Sequence, residues 1–148
     1  MPLLAGLSPA QSGHRTNDPD LQEMRDYRLN MDVIERYVAV ARKVGNDPAA
    51  KKCFEHNPPG NAPNLDAGEK LINACAAAVA DLKTANIKAR EFLIITGALI
   101  GDMMAVGMKK SGTIKQYPDS LSPENAAFVE HNFEKLQAML TPLSDNGK

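Results

Sequence analysis

Tryptophan is absent from this sequence, and aromatic residues make up only 5% of it. A β-sandwich usually draws its core from aromatic and β-branched side chains. The shortage therefore argues for helix packed on helix, with a core of Ala, Leu, Ile, Val and Met. Charge of one dominant sign is missing too: 17 basic residues face 18 acidic ones, for a formal net charge of −1. That balance gives no electrostatic footprint for nucleic acid or for an anionic membrane surface. The basic pairs Lys51-Lys52 and Lys109-Lys110 are isolated and read as solvated surface. The opening "MPLLAGLSPAQSGHRTNDPD" has neither a basic n-region nor an apolar run long enough for a secretory signal. The segment fits either a cytoplasmic protein or a mature chain whose signal has been removed.

Catalytic and metal motifs are equally scarce. The three histidines, His14, His56 and His131, form no Glu-x-x-His or His-x-x-x-His pair. A di-iron bundle or a zinc protease would need such pairs, so no metal site is expected. No nucleophile elbow, P-loop or dinucleotide fingerprint occurs, and nothing singles out an active site. Covalent haem needs Cys-x-x-Cys-His, which is absent. Haem held by a methionine and a histidine is the remaining cofactor reading. It would fall to Met104 on the central helix and His131 on the last, although methionine more often simply fills core gaps. Two cysteines, Cys53 and Cys75, are separated by a turn-rich connector. Joined, they would close a loop worth about 3 kcal/mol in the chain-entropy model and would suit an exported protein. Two separate thiols fit the sequence as well.

At 148 residues the chain suits one domain able to bury its own core. Residues 1–22 are rich in Pro, Gly, Ser, Asn and Asp and read as a flexible leader; 23–141 form the helical domain, and 142–148 a tail. Ile34, Tyr37, Val38, Ala41 and Val44 keep helical spacing behind a possible cap at Asn30, with Gly45-Asn46 as a left-handed stop. Asp47-Pro48 opens a short helix. Asn64 or Asp66 caps a long one that carries Leu71, Cys75, Ala78, Val79 and Leu82 and ends at Asn86. Ser122, Pro123 and Glu124 give the clearest helix start, ahead of Phe128, Val129, Phe133, Leu136 and Leu140. The expected fold is all-α, a bundle of four main helices and a short one. Its core should include Ile34, Val38, Val79, Ile95, Leu99, Met103, Phe128 and Phe133.

"REFLIITGALIGDMMAVGMKK", residues 90–110, is the most apolar stretch. Its apolar part from Phe92 to Met108 only reaches the lower limit for a span, about 17 residues, and contains Asp102 and three glycines. A central bundle helix is expected rather than a membrane anchor. At about 100° per residue, Glu91, Ala98, Asp102, Ala105 and Lys109 share one narrow stripe. That stripe reads as a solvent seam with a hydrated Asp102. Gly97 and Gly101, with Met104 and Met108, mark a second stripe where a neighbouring helix is expected to approach closely.

Three segments carry a resemblance. "YRLNMDVIERYVAVAR", "ANIKAREFLIITGALIGDMM" and "SPENAAFVEHNFEKLQAML" look like the opening, central and last helices of a group of small helical proteins exported by Gram-negative bacteria. The matching positions are Tyr27, Leu29, Asn30 and Met31; Arg90, Glu91 and Phe92; and Ser122, Pro123, Asn125, Phe128 and Val129. Lys88 stands where the group usually has a Thr or Ser cap, and the group's signal peptide is not present here. The group has no assigned activity, so the resemblance implies a periplasmic or secreted helical domain without naming a role. The leading expectation is a non-enzymatic envelope domain without a cofactor, with a protein partner or a homo-oligomer open. The alternative is a small-ligand or haem-binding bundle. Arg90, Glu91 and Asn125 lie near helix starts, where they serve either function or packing.

Overall fold

The computed structural model describes residues 18–145. Every regular element in that range is helical. Helices α1 (Pro19–Asp26), α2 (Met31–Asn46) and α3 (Pro48–Phe54) are followed by a 3₁₀ turn at Pro59–Asn61. Then come α4 (Leu65–Asn73), α5 (Ala76–Thr84), α6 (Ala89–Lys110), α7 (Pro123–His131) and α8 (Phe133–Asp145). The all-α class holds, but the division is finer than four main helices and a short one.

The helix starts follow local chemistry. Asn30, Asp47, Asn64 and Ser122 each accept a hydrogen bond from a backbone N–H of the first turn, at Val33, Ala49, Ala67 and Asn125. Such caps contribute about 1 kcal/mol each. Asn86 (φ 55°) and Gly112 (φ 82°) take the left-handed conformation that stops α5 and α6. The expected left-handed stop at Gly45-Asn46 does not form. Helix α2 runs through Asn46, and Asp47 closes it while capping α3.

Two of the expected long helices are broken. Cys75 is extended (φ −105°, ψ 98°) between α4 and α5 and is joined by a disulfide to Cys53 of α3, with Cα atoms 5.9 Å apart. The tether comes from a residue 22 positions away, so the Ala-rich run around it reads locally as unbroken helix. Asn132 separates α7 from α8; its side chain donates to the Phe128 carbonyl at 2.8 Å. A side chain bonding its own backbone competes with the helix ladder and bends it. The leader and tail boundaries also shift. Helix α1 begins at Pro19, behind an Asp18 cap, and α8 carries Pro142 inside it as far as Asp145. The rest of the expected leader, 1–17, and of the tail, 146–148, lies outside the described residues.

Ile34, Val40, Ile95, Leu99, Val106, Val129 and Leu136 are fully buried at the centre. Of the expected core, Ile34, Val38, Ile95 and Leu99 are buried, while Met103, Phe128 and Phe133 are half-buried against them. Val79 is the exception. Past the break at Cys75, α5 turns Ala78, Asp81 and Leu82 inward and leaves Val79 beside a surface hollow. Helix α6 has the length and hydropathy to cross a membrane (22 residues, mean hydropathy 1.6). Eight of its residues are buried in the bundle, under α1, α4 and α7.

The three segments that carry the resemblance meet in one polar joint. Asn125 at the start of α7 donates to the Tyr27 carbonyl at 2.6 Å and accepts from the Leu29 N–H at 3.0 Å. The Tyr27 hydroxyl donates to Glu91 at 2.8 Å. Arg90 reaches Glu23 on α1 (2.6 Å) and Asp66 and Glu69 on α4 (2.6 and 3.2 Å). The Tyr37 ring lies 5.1 Å from Phe92, and its hydroxyl pairs with Thr96. Arg90, Glu91 and Asn125 therefore hold α1 and the α1–α2 link onto α6 and α7. Replacing Asn125 with Ala strands two backbone groups, one of them in the buried interior. Urea denaturation should show a loss of about 2 to 4 kcal/mol. A loss below about 1 kcal/mol would mean that the joint contributes little.

Candidate functional site

The stripe Glu91–Ala98–Asp102–Ala105–Lys109 is one face of α6, as its spacing predicts, but it is not a solvent seam. Ala98, Asp102 and Ala105 are buried, and α7 packs over this helix with Ala126 and Val129 also buried. At the stripe's ends, Glu91 takes the Tyr27 hydroxyl and Lys109 pairs with Glu130 of α7 at 3.2 Å. Small side chains allow close helix approach as readily as they line a wet groove, and here close approach prevails. The carboxylate inside the stripe is covered along with it: Asp102 is only 5% exposed.

Asp102 lines a cavity of about 190 Å³ between α1, α6 and the segment leading into α7. Leu21, Met24, Ala98 and Leu121 give it apolar walls, and Arg25 and Asp102 are its ionisable members. Asp102 Oδ2 and Arg25 Nε are both buried and find no hydrogen-bond partner among the described residues. Burial alone raises the Asp102 pKa, from 3.8 to about 6, because no neighbouring cation offsets the loss of water. Tyr117, the other titratable group that senses Asp102, gives its hydroxyl proton to Glu130. Its own pKa is pushed up to about 12 by burial, by that hydrogen bond and by the fields of Glu130 and Asp102.

The glycine stripe is corrected as well. A Cβ on Gly97 would meet the Met24 side chain of α1 at 2.6 Å, whereas one on Gly101 would meet nothing within 4 Å. The close approach is confined to Gly97, and Gly101 stands in open space at the edge of the cavity. Beyond it the outer face of α6 is uncovered, with Ile100 55%, Met104 63% and Met108 38% exposed.

Met104 therefore points outward on α6, and His131 is exposed at the end of α7. Neither lines the cavity beside Asp102. Cys53 and Cys75 are joined, so neither is a thiol nucleophile. Among the described residues, no three His, Cys, Asp or Glu side chains converge as metal ligands. One further acidic pair escaped the sequence reading. Asp81 of α5 is 8% exposed, its Oδ2 finds no hydrogen-bond partner among the described residues, and the carboxylate of Asp47, the α3 cap, lies close enough to act on it. Burial and the Asp47 carboxylate raise its pKa. Neither Asp81 nor Arg25 stands out in sequence, because each owes its burial to helices distant along the chain. No protein-family model, curated protein or solved structure matches this chain.

The raised pKa of Asp102 has a definite sign. In the unfolded chain its carboxyl ionises near pH 4, while the folded protein keeps the proton to about pH 6. The group's contribution is most favourable below pH 4 and falls as pH rises through 6. An Asn at this position carries no charge to bury. Chemical denaturation should show Asp102→Asn gaining about 2 to 3 kcal/mol on the parent between pH 4 and pH 8. A difference independent of pH would contradict the buried, unpartnered carboxylate.

Proposed function

We propose that this protein is a non-enzymatic helical domain of the bacterial envelope that binds a small ligand in the cavity beside Asp102. One observation carries the reading: an unpartnered carboxylate, 5% exposed, lines a cavity whose walls are otherwise largely apolar. Concave, mostly apolar sites with few polar groups are the usual form of small-molecule sites. The cavity lining contains no histidine or cysteine that would give Asp102 a partner in acid–base or nucleophilic chemistry, which favours binding over catalysis. The Cys53–Cys75 disulfide and the resemblance to exported helical proteins both support an oxidising, extracytoplasmic location. Helix α6 is read as the central helix of the bundle, since one of its faces is taken up by core contacts.

Gly101 supplies the test. A side chain added there meets no neighbour within 4 Å, so Gly101→Met should fold, gain helix propensity and fill the cavity edge. Ligand-detected NMR with a set of small polar fragments should show saturation transfer to the parent that Gly101→Met abolishes. Equal signals from both proteins would place the binding elsewhere and contradict the reading.

The uncovered face of α6 favours a second reading, self-association. Ile100, Met104 and Met108 recur at four-residue spacing, a row that a second copy of the same helix can meet across a two-fold axis. Sedimentation velocity over a concentration series should show the parent associating and Met104→Glu remaining monomeric. A parent that stays monomeric throughout would dismiss this reading.

A further inference from the structure

Two thioethers face solvent on the outer side of α6, away from the cavity lining. Of the seven methionines, Met24, Met31, Met103 and Met139 are half-buried against the core, and Met1 lies outside the described residues. Met104 and Met108 are exposed, at 63% and 38%, one helical turn apart and in a row with Ile100. Gly101, three residues before Met104, has open space where a side chain would stand, so approach from that side is clear. Both cysteines of the chain are joined in the disulfide, and no thiolate competes with the thioethers for an oxidant.

From this we infer that Met104 and Met108 form an oxidation site, where conversion to methionine sulfoxide releases α6 from a second copy of the chain. The inference rests on the self-association reading above and adds its control. The oxidant is a two-electron oxygen donor of the peroxide class. A thioether lone pair takes one oxygen of hydrogen peroxide, forming the S–O bond as the O–O bond breaks. The sulfur is oxidised and the peroxide reduced. The proton of the transferred oxygen passes through solvent to the departing one, which leaves as water, so no protein base is needed. The product carries a polar S=O where an apolar side chain stood. In a single chain these oxygens face water, and the bundle keeps its stability. Between two copies of α6 they are buried acceptors, and the side chains of Ile100, Met104 and Met108 offer them no donor. Burying an unpaired acceptor opposes association, and a two-fold contact repeats that cost in both copies.

Limited treatment with hydrogen peroxide, at a dilution where the full chain is monomeric, tests the site. Tandem mass spectrometry of its peptides should show Met104 and Met108 oxidised at least fivefold faster than Met24, Met31, Met103 and Met139. Sedimentation equilibrium of the product should give a dissociation constant weakened by tenfold or more, at an unchanged melting temperature. The double variant Met104→Leu, Met108→Leu keeps the row apolar and should associate like the parent before and after peroxide. Comparable oxidation of all six methionines would overturn the inference. So would an oxidised pair that leaves association unchanged, or a double variant that dissociates on peroxide as the parent does; in both cases self-association stands. If the untreated parent is monomeric throughout, both fall together.

Discussion

The side-chain amide of Asn125 is the contact on which the arrangement turns. It gives a hydrogen bond to the Tyr27 carbonyl and takes one from the Leu29 N–H, so the start of α7 is pinned to the link between α1 and α2. Around it, Arg90 draws Glu23 toward Asp66 and Glu69, and Glu91 receives the Tyr27 hydroxyl. Helix α1 has no fully buried residue of its own and depends on these polar contacts, with Met24 set against Gly97. A short helix held by side-chain hydrogen bonds rather than by a deep apolar face leaves space beneath it. That space is the cavity in which Asp102 lies.

The cost of the cavity falls on Asp102. A carboxylate withdrawn from water without a partner is unfavourable when charged, and a better-packed bundle would replace it with an apolar residue. In the folded protein its Oδ2 finds no hydrogen-bond partner among the described residues. The core beneath is conventional, with Ile34, Ile95, Leu99, Val106, Val129 and Leu136 interlocked at the centre. The Cys53–Cys75 bridge joins α3 to the α4–α5 break.

Whatever depends on adjacent residues was legible in the sequence. The caps at Asn30, Asp47, Asn64 and Ser122 rest on side chains within a turn of the groups they satisfy, and the stop at Asn86 on a residue type that tolerates the left-handed conformation. The resemblance brought Tyr27, Arg90, Glu91 and Asn125 to notice, and the structure gives them a shared packing role. Features set from a distance were not legible. The break at Cys75, the seating of the helix at Pro19–Asp26 and the burial of Asp81 all depend on the tertiary neighbourhood. Asp102 shows this most clearly: spacing placed it correctly on one stripe with Ala98 and Ala105. Only the position of α7 decides whether that stripe faces water or protein.

The central claim is that Asp102 is enclosed and unpartnered when the cavity is empty. Direct titration of its side-chain carboxyl by ¹³C NMR, assigned through the loss of its signal in Asp102→Asn, tests that claim without reference to unfolding or to any ligand. The expected midpoint is about 6, reached through burial alone. A midpoint near 4, the value of a hydrated aspartate, would mean that water or a cation reaches the carboxylate, and the cavity would lose its claim as a binding site.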